Sequence, residues 1–311
     1  MPRPAFKPDS SFFRKIALGA VGARAVCGDL NERGHLLVEL ERGATDTKLW
    51  KDVKRKRVRI PDLVCTRCGL RIESRAKTKA DLSMSHSAEN SRAWDFGMVD
   101  TDLIAFPVCV ASREAYWSRG KLGYGSSYWH EKNWVQWRLE GTINYFTRRA
   151  LRDVAFVDRG KKGVTEGSEA TIGWPATFSR SQGTVQEVRE RCIVIRRQAD
   201  NRVLTRTIRD LHQESRVAVD QTVGLNQVIA SGVRPMTGPE LVCTQDFPRE
   251  HIACLLASRE KTQRFTGLKL ARLRNERDYC NFAGTVADDT EEDIYVRFEA
   301  IAYLASVCDE P

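Results

Sequence analysis

Apolar residues recur at three- and four-residue intervals through 11–27, SFFRKIALGAVGARAVC, and predict a helix that Ser10 or Ser11 can cap. A turn follows over Asp29 to Gly34. The pattern then shortens to strand-like runs at HLLVELER (35–42), KRVRIPDLVC (56–65) and RIESRAK (71–77). The polar stretch KADLSMSHSAENSRAWDF (79–96) reads as a helix with loops, and DLIAFPVCVA (102–111) as a buried strand. Residues 112–140 interleave aromatic side chains with Arg, Lys and Gly. They read as an irregular packed subdomain, with base stacking as the lesser reading. INYFTRRALRDVAF (143–156) predicts a helix. A polar, Gly-rich link begins at 157, short strands between turns fill 171–232, and helical spacing returns over 247–308.

The elements predict a multidomain α+β chain. Its segments are an N-terminal arm (1–10), an α/β domain (11–156), a small β-barrel or sandwich (157–240) and a helical segment (241–311). The 311 residues exceed one ordinary domain, and 41% hydrophobic with 29% charged residues marks a globular chain. No run of eighteen apolar residues exists, so a membrane span is not expected, and MPRPAFKPDSSFF lacks the apolar core of a signal peptide.

Charge changes this picture more than composition does. The net charge is +9. Residues 48–79 hold twelve basic residues (Lys48, Lys51, Lys54, Arg55, Lys56, Arg57, Arg59, Arg67, Arg71, Arg75, Lys77, Lys79) against Asp52, Asp62 and Glu73, an excess equal to that of the whole chain. A local excess of this kind is the electrostatic footprint of a polyphosphate partner, and DNA is the favoured one. Lys54, Arg55, Lys56, Arg57, Arg59, Arg67 and Lys79 are the candidate phosphate contacts. The bland reading is a solvated basic face.

Nine cysteines show one motif, Cys65-Thr-Arg-Cys68-Gly69, half of a zinc knuckle with glycine closing the turn. Zinc wants four ligands, and His35, His86, Cys109 and His130 are the candidates to complete the set, with no spacing to select among them. A free or redox-active pair is the competing reading. Cys27, Cys109, Cys192, Cys243, Cys254, Cys280 and Cys308 are scattered among apolar neighbours and read as buried thiols in a reducing cytoplasm.

The same hairpin carries carboxylates. In a strand Glu73, Arg75 and Lys77 share one face, and Ile72, Ser74 and Ala76 the other. Asp62 ends the preceding strand, so a tight turn can bring it beside Glu73, where a divalent cation would relieve the repulsion. The bland reading is a surface hairpin of salt bridges. Asp95, Asp100 and Asp102 read as turn and cap residues, Glu39 and Glu41 as surface carboxylates, and His212 and His251 carry no role.

Pro61-Asp62, a short gap, then Glu73 with a downstream basic residue resembles the PD-(D/E)xK nuclease superfamily, and the order helix, three strands, helix, strand matches its restriction-endonuclease-like αβββαβ core. The resemblance covers roughly residues 11–111. It implies a Mg²⁺- or Mn²⁺-dependent endonuclease with Asp62 and Glu73 as metal ligands, joined by the carbonyl of Ser74. The family's lysine position holds Arg75, and Lys77 follows on the same face, so either residue fills the basic role. The resemblance also allows a homodimer, and bacterial restriction or phage defence is a setting that rests on fold analogy alone. VAVDQTVGLNQVIASG resembles barrel-sandwich hybrid domains, and DIYVRFEAIAYLASV resembles a HEAT or armadillo helix, which implies a longer solenoid and a protein partner. The rival is an inactive zinc-knuckle nucleic-acid-binding scaffold or adaptor.

Overall fold

A computed structural model describes residues 10–40, 60–90, 93–111, 137–160, 169–243 and 249–308. The chain is mixed α+β, built from several small sheets and helices. In chain order it runs α1 (Ser10–Asn31), β1 (Leu37–Glu39), β2 (Leu63–Cys65), β3 (Arg71–Ser74), β4 (Ser83–His86), β5 (Leu103–Phe106), β6 (Cys109–Ala111), β7 (Trp137–Leu139) and β8 (Asn144–Thr147). The short helix α2 (Arg148–Arg152) follows, then β9 (Val157–Asp158), β10 (Ala170–Gly173), β11 (Ala176–Phe178), β12 (Gly183–Arg189) and β13 (Cys192–Arg197). The rest is β14 (Val203–Thr207), β15 (Glu214–Ser215), β16 (Thr222–Val223), β17 (Val228–Ser231), α3 (Arg249–Leu256), α4 (Lys261–Leu273), α5 (Cys280–Asp288) and α6 (Ile294–Tyr303). Two compact units result: the first joins Asp29–Ile72 to the chain from Leu241 onward, and the second joins α1 up to Gly28 to Glu73–Glu240.

In the first unit β1 pairs antiparallel with β2 (Val38↔Val64), and β2 with the start of β3 (Leu63↔Ile72). Apolar residues at helical spacing in α3 to α6 meet them in one core: Leu40, Ile60, Val64, Ile252, Leu268, Ala283, Val296 and Tyr303 are all buried. Arg71 is buried in the same unit, its Nη1 donating to Thr266 Oγ1 at 3.4 Å, so it is not part of a basic surface. Buried Glu299 on α6 ties α4 through Arg272 (2.7 Å) and Lys269 (3.4 Å), which satisfies a charge that burial alone would penalise.

Cys280 and Cys308 form a disulfide, with Cα atoms 6.0 Å apart. This corrects the reading of both as free thiols. A π-helical turn over Leu304–Cys308 extends α6 and brings Cys308 to the first residue of α5. The bridge spans 28 residues, and a loop of that size is worth about 3–4 kcal/mol in the chain-entropy account. Cys308→Ser is expected to lower stability by roughly that amount. Urea denaturation of both proteins, oxidised, checks it, and identical midpoints would contradict it.

In the second unit α1 lies against the segment that continues β3. A Cβ at Gly22 would fall 2.5 Å from Ala76 Cβ and 3.2 Å from Pro107, so the contact needs glycine. That segment runs parallel to the chain through β5 and β6. Arg75 N–H donates to Ala105 O (2.8 Å), Lys77 N–H to Pro107 O (2.9 Å), and Cys109 N–H to Lys77 O (2.7 Å). Buried β5, LIAF, pairs antiparallel with β8 (Ala105↔Tyr145). Ile104, Phe106 and Phe146 share a core with Leu82, Trp94, Ile172 and Trp174.

Three expected elements differ. Among the described residues of 79–96 the expected α-helix is not found: Ser83–His86 is β4, pairing with β10 in the sheet β4-β10-β9. Leu82 and Met84 fill the core with Ile172, and that burial outweighs local preference. Residues 143–156 split into β8 and a five-residue helix, which Thr147 caps by accepting from Ala150 N–H. Residues 176–231 build a three-stranded sheet, β11-β17-β15, and a four-stranded one, β14-β13-β12-β16, over one core of Val185, Ile193, Ile195, Val223 and Ile229. No closed barrel forms among the described residues. None of the described helices is long and apolar enough to cross a membrane.

Candidate metal centre and the basic strand

The end of α1 builds the first ligand. Gly34 takes φ +87°, Gly34 N–H donates to Asn31 O (3.0 Å), and His35 N–H donates to Leu30 O (3.1 Å). This is a Schellman closure, and it turns His35 inward, where only 3% is exposed. Its Nε2 lies 3.0 Å from Leu241 O. With Nε2–H donating to that carbonyl, the lone pair of Nδ1 is left for a metal.

The knuckle supplies two sulfurs. Gly69 takes φ +75° and its N–H donates to Cys65 O (2.9 Å). The Cys65 sulfur accepts the N–H groups of Leu36 and Cys68, each at 3.4 Å. Cys68 Sγ lies 3.4 Å from His35 Nδ1. The fourth ligand is Cys243, anchored by its N–H to Arg33 O at 3.0 Å. The ligand atoms of His35, Cys65, Cys68 and Cys243 all lie within 4.8 Å of one another. Tetrahedral zinc with bonds of about 2.3 Å to sulfur sets its ligand atoms about 3.8 Å apart, so the set can hold zinc with little movement.

Electrostatics agrees. Hydrogen bonding with the Cys68 thiol first, then with His35 and the two N–H groups, holds Cys65 down to about 3 against burial. Cys68 is pushed up, first as the donor to Cys65 and then by burial, and Cys243 is pushed up chiefly by burial. A dication bound here would draw off the thiol protons.

The half-site Cys65-x-x-Cys68 and the candidate His35 are therefore brought together. His86 and Cys109 are not part of the set. His86 Nδ1 accepts from Trp94 N–H (3.4 Å) and its ring packs on Phe156, while Cys109 is buried with its thiol pushed up to about 11. His130 lies outside the described residues. Cys243 was not among the expected ligands. A signal for it exists: Pro61-Asp-Leu-Val-Cys-Thr66 is echoed by Pro239-Glu-Leu-Val-Cys-Thr244.

The other candidates lie around β3. Glu73 accepts an ion pair from Arg75 Nη2 at 2.9 Å, whereas the buried Nε of Arg75 has no hydrogen-bond partner among the described residues. Lys77 Nζ donates to Ser83 O and lies 5.9 Å from the centre of the Phe106 ring. Burial presses its ammonium down to about 8, Arg75 and Arg159 adding to the effect and Asp81 opposing it. Asp62 belongs to the first unit and Glu73 to the second. Neither is part of the ligand group, and among the described residues no second group of three or more such ligands converges. Arg67 and Lys79 are exposed, and Lys54, Arg55, Lys56, Arg57 and Arg59 lie outside the described residues, as do Glu41 and the aromatic stretch 112–136. Asp95 and Asp100 pair with Arg148 (2.8 and 2.7 Å), and buried Asp102 accepts from Val99 N–H (2.7 Å), which are turn and cap roles.

No family model, no curated protein and no solved structure matches this chain.

Proposed function

We propose that the protein is a metal-dependent endonuclease that acts on nucleic acid, DNA foremost, through the strand segment carrying Glu73, Arg75 and Lys77. The observation that carries this reading is Lys77. It lies on the segment that bears a carboxylate and an arginine whose buried Nε has no hydrogen-bond partner among the described residues, and its ammonium is drawn in onto Ser83. Burial presses its pKa down to about 8, toward the range that suits general acid–base work. Arg75 remains cationic and supplies donors for phosphate oxygens. The charge excess over 48–79, with exposed Arg67 and Lys79, supports a phosphate backbone as the partner.

Magnesium is bound through one or two carboxylates, substrate phosphates and its own waters, and does not need a preformed cage. Glu73 is the carboxylate on the segment that would hold it, in competition with Arg75, and Asp62 is a ligand by the sequence resemblance alone. When bound, the cation would supply Lewis acidity at the phosphate. The zinc site supports a separate role, as a staple for the hairpin that leads into β3. The helical segment, with Ile294, Phe298 and Ile301 exposed on α6, supports the repeat-like reading and a protein partner.

A second reading has its own observation. The Glu73–Arg75 ion pair at 2.9 Å neutralises the carboxylate, as suits a zinc-stapled scaffold that binds nucleic acid without cutting it. Incubation with supercoiled plasmid and linear DNA, in Mg²⁺, in Mn²⁺ and in EDTA, decides between them. Nicking or linearisation that requires the added cation is expected. Salt-sensitive retention of DNA without cleavage in any condition would overturn the nuclease and leave the scaffold.

A further inference from the structure

Lys77 is the terminus of a chain of contacts that the sequence pattern does not reveal. Its Nζ donates to the carbonyl of Ser83 and lies 3.4 Å from Ser83 Oγ. Ser83 is buried, and its Oγ donates to Asp81 Oδ2 at 2.6 Å. The other oxygen of Asp81 takes the Nη1 of Arg159. Arg159 in turn lies flat over Gly173, where a Cβ would fall 2.5 Å from its Nε. Pairing of β4 with β10, Ser83↔Gly173, fixes both ends of this chain on one sheet.

We propose that Asp81 is the positioning residue for Lys77: clamped by Arg159 and bonded by the Ser83 hydroxyl, it holds Ser83 where that residue receives the ammonium. The proposal rests on the nuclease reading for its purpose but not for its geometry. The charged groups that face Lys77 are Arg75 on its own segment, Asp81 on the turn before β4, and Arg159 after β9. Two cations and burial disfavour the ammonium, and among these groups Asp81 is the one acid that favours it. Without Asp81 the amine would lose the Ser83 support that Asp81 holds in place and the one nearby charge that favours its ammonium.

The test is a direct titration of Lys77 by NMR in protein labelled at its lysine ¹³Cε and ¹⁵Nζ, with the signal identified by its loss in Lys77→Met. The wild type is expected to titrate near pH 8. Asp81→Asn, which keeps shape and removes charge, is expected to move the midpoint down by about one pH unit. Arg159→Gln, at a side chain 37% exposed, removes one of the two cations and is expected to move it up. A wild-type midpoint at the ordinary lysine value of about 10.4, or an Asp81→Asn midpoint equal to wild type, would overturn the proposal. Should Asp81→Asn not fold, an unmoved midpoint in Arg159→Gln would overturn it equally. The plasmid assay run alongside separates the two ideas. Lys77 following Asp81 in a protein that never cuts refutes the nuclease alone, and cutting by a protein whose Lys77 ignores Asp81 refutes the positioning alone.

Discussion

Stripping metal from the His35, Cys65, Cys68 and Cys243 site is expected to unfold the first unit at temperatures where the loaded protein is intact. The site gathers three stretches distant in sequence: the residue after the α1 closure, the knuckle between β2 and β3, and Cys243 beyond the β domain. Without a metal, three thiol groups and an imidazole crowd within 4.8 Å, partly buried. Hydrogen bonding with Cys68, His35 and the Leu36 and Cys68 N–H groups then favours charge on Cys65 against burial. Zinc in small structural modules contributes about 10–16 kcal/mol of apparent binding free energy, much of it folding free energy. A loss of even about 5 kcal/mol would lower Tm by more than about 10 °C for a unit of this size. Elemental analysis is expected to find one zinc per chain, and none after dialysis against a strong chelator. Cys68→Ser and Cys243→Ser should each abolish the stoichiometric zinc, while Cys254→Ser, at an exposed free cysteine, should keep it. A metal-free protein with unchanged Tm would dismiss the site. Because cysteine ligands must be deprotonated, affinity should also fall as pH drops, and zinc should be released on acidification.

What the sequence disclosed of this site follows from physics at short range. Cys65-x-x-Cys68-Gly69 was legible because two sulfurs and a left-handed glycine on one turn are a local geometry. Cys243 left only the echo of Pro61–Thr66 in Pro239–Thr244 as a signal, since its approach depends on the path of the chain through the whole β domain. The helix of α1 was legible from periodicity, and its end from Gly34. The segment INYFTRRALRDVAF was misread as one helix because its apolar spacing fits both periods. Pairing of Asn144–Thr147 with β5, and burial of Tyr145 and Phe146, decide for a strand. The disulfide Cys280–Cys308 was hidden because no spacing singles out that pair and only the packing of α5 against α6 creates it. Lys77 was legible as a basic residue on the Glu73 face. Its contact with Ser83 was not, because the helix expected over 79–96 would have placed Asp81 and Ser83 elsewhere.

Glu73→Gln and Lys77→Met are each expected to reduce cation-dependent cleavage by at least about 100-fold, the usual scale for removing one group that handles charge or protons in the transition state. Glu73→Gln removes the carboxylate charge that would hold the cation and frees Arg75 from its ion pair. Binding of DNA, a cationic function, should then stay the same or tighten, because negative charge is lost next to the phosphate path. Lys77→Met keeps the length of a side chain packed near Phe106 but removes its proton and its charge, so binding should change little while cleavage falls. Arg75→Lys separates the two basic residues. A loss as large as that of Lys77→Met would give the charge-stabilising role to Arg75, because a lysine there cannot reproduce the guanidinium fork. Asp62→Ala completes the series, with loss of cleavage and retained binding expected of a metal ligand. Single-turnover cleavage measured with filter retention at two salt concentrations reads both quantities on each variant. Full activity in Glu73→Gln would remove the proposed site from β3. Weakened retention in proportion to lost cleavage would make these residues contacts for nucleic acid rather than agents of its hydrolysis.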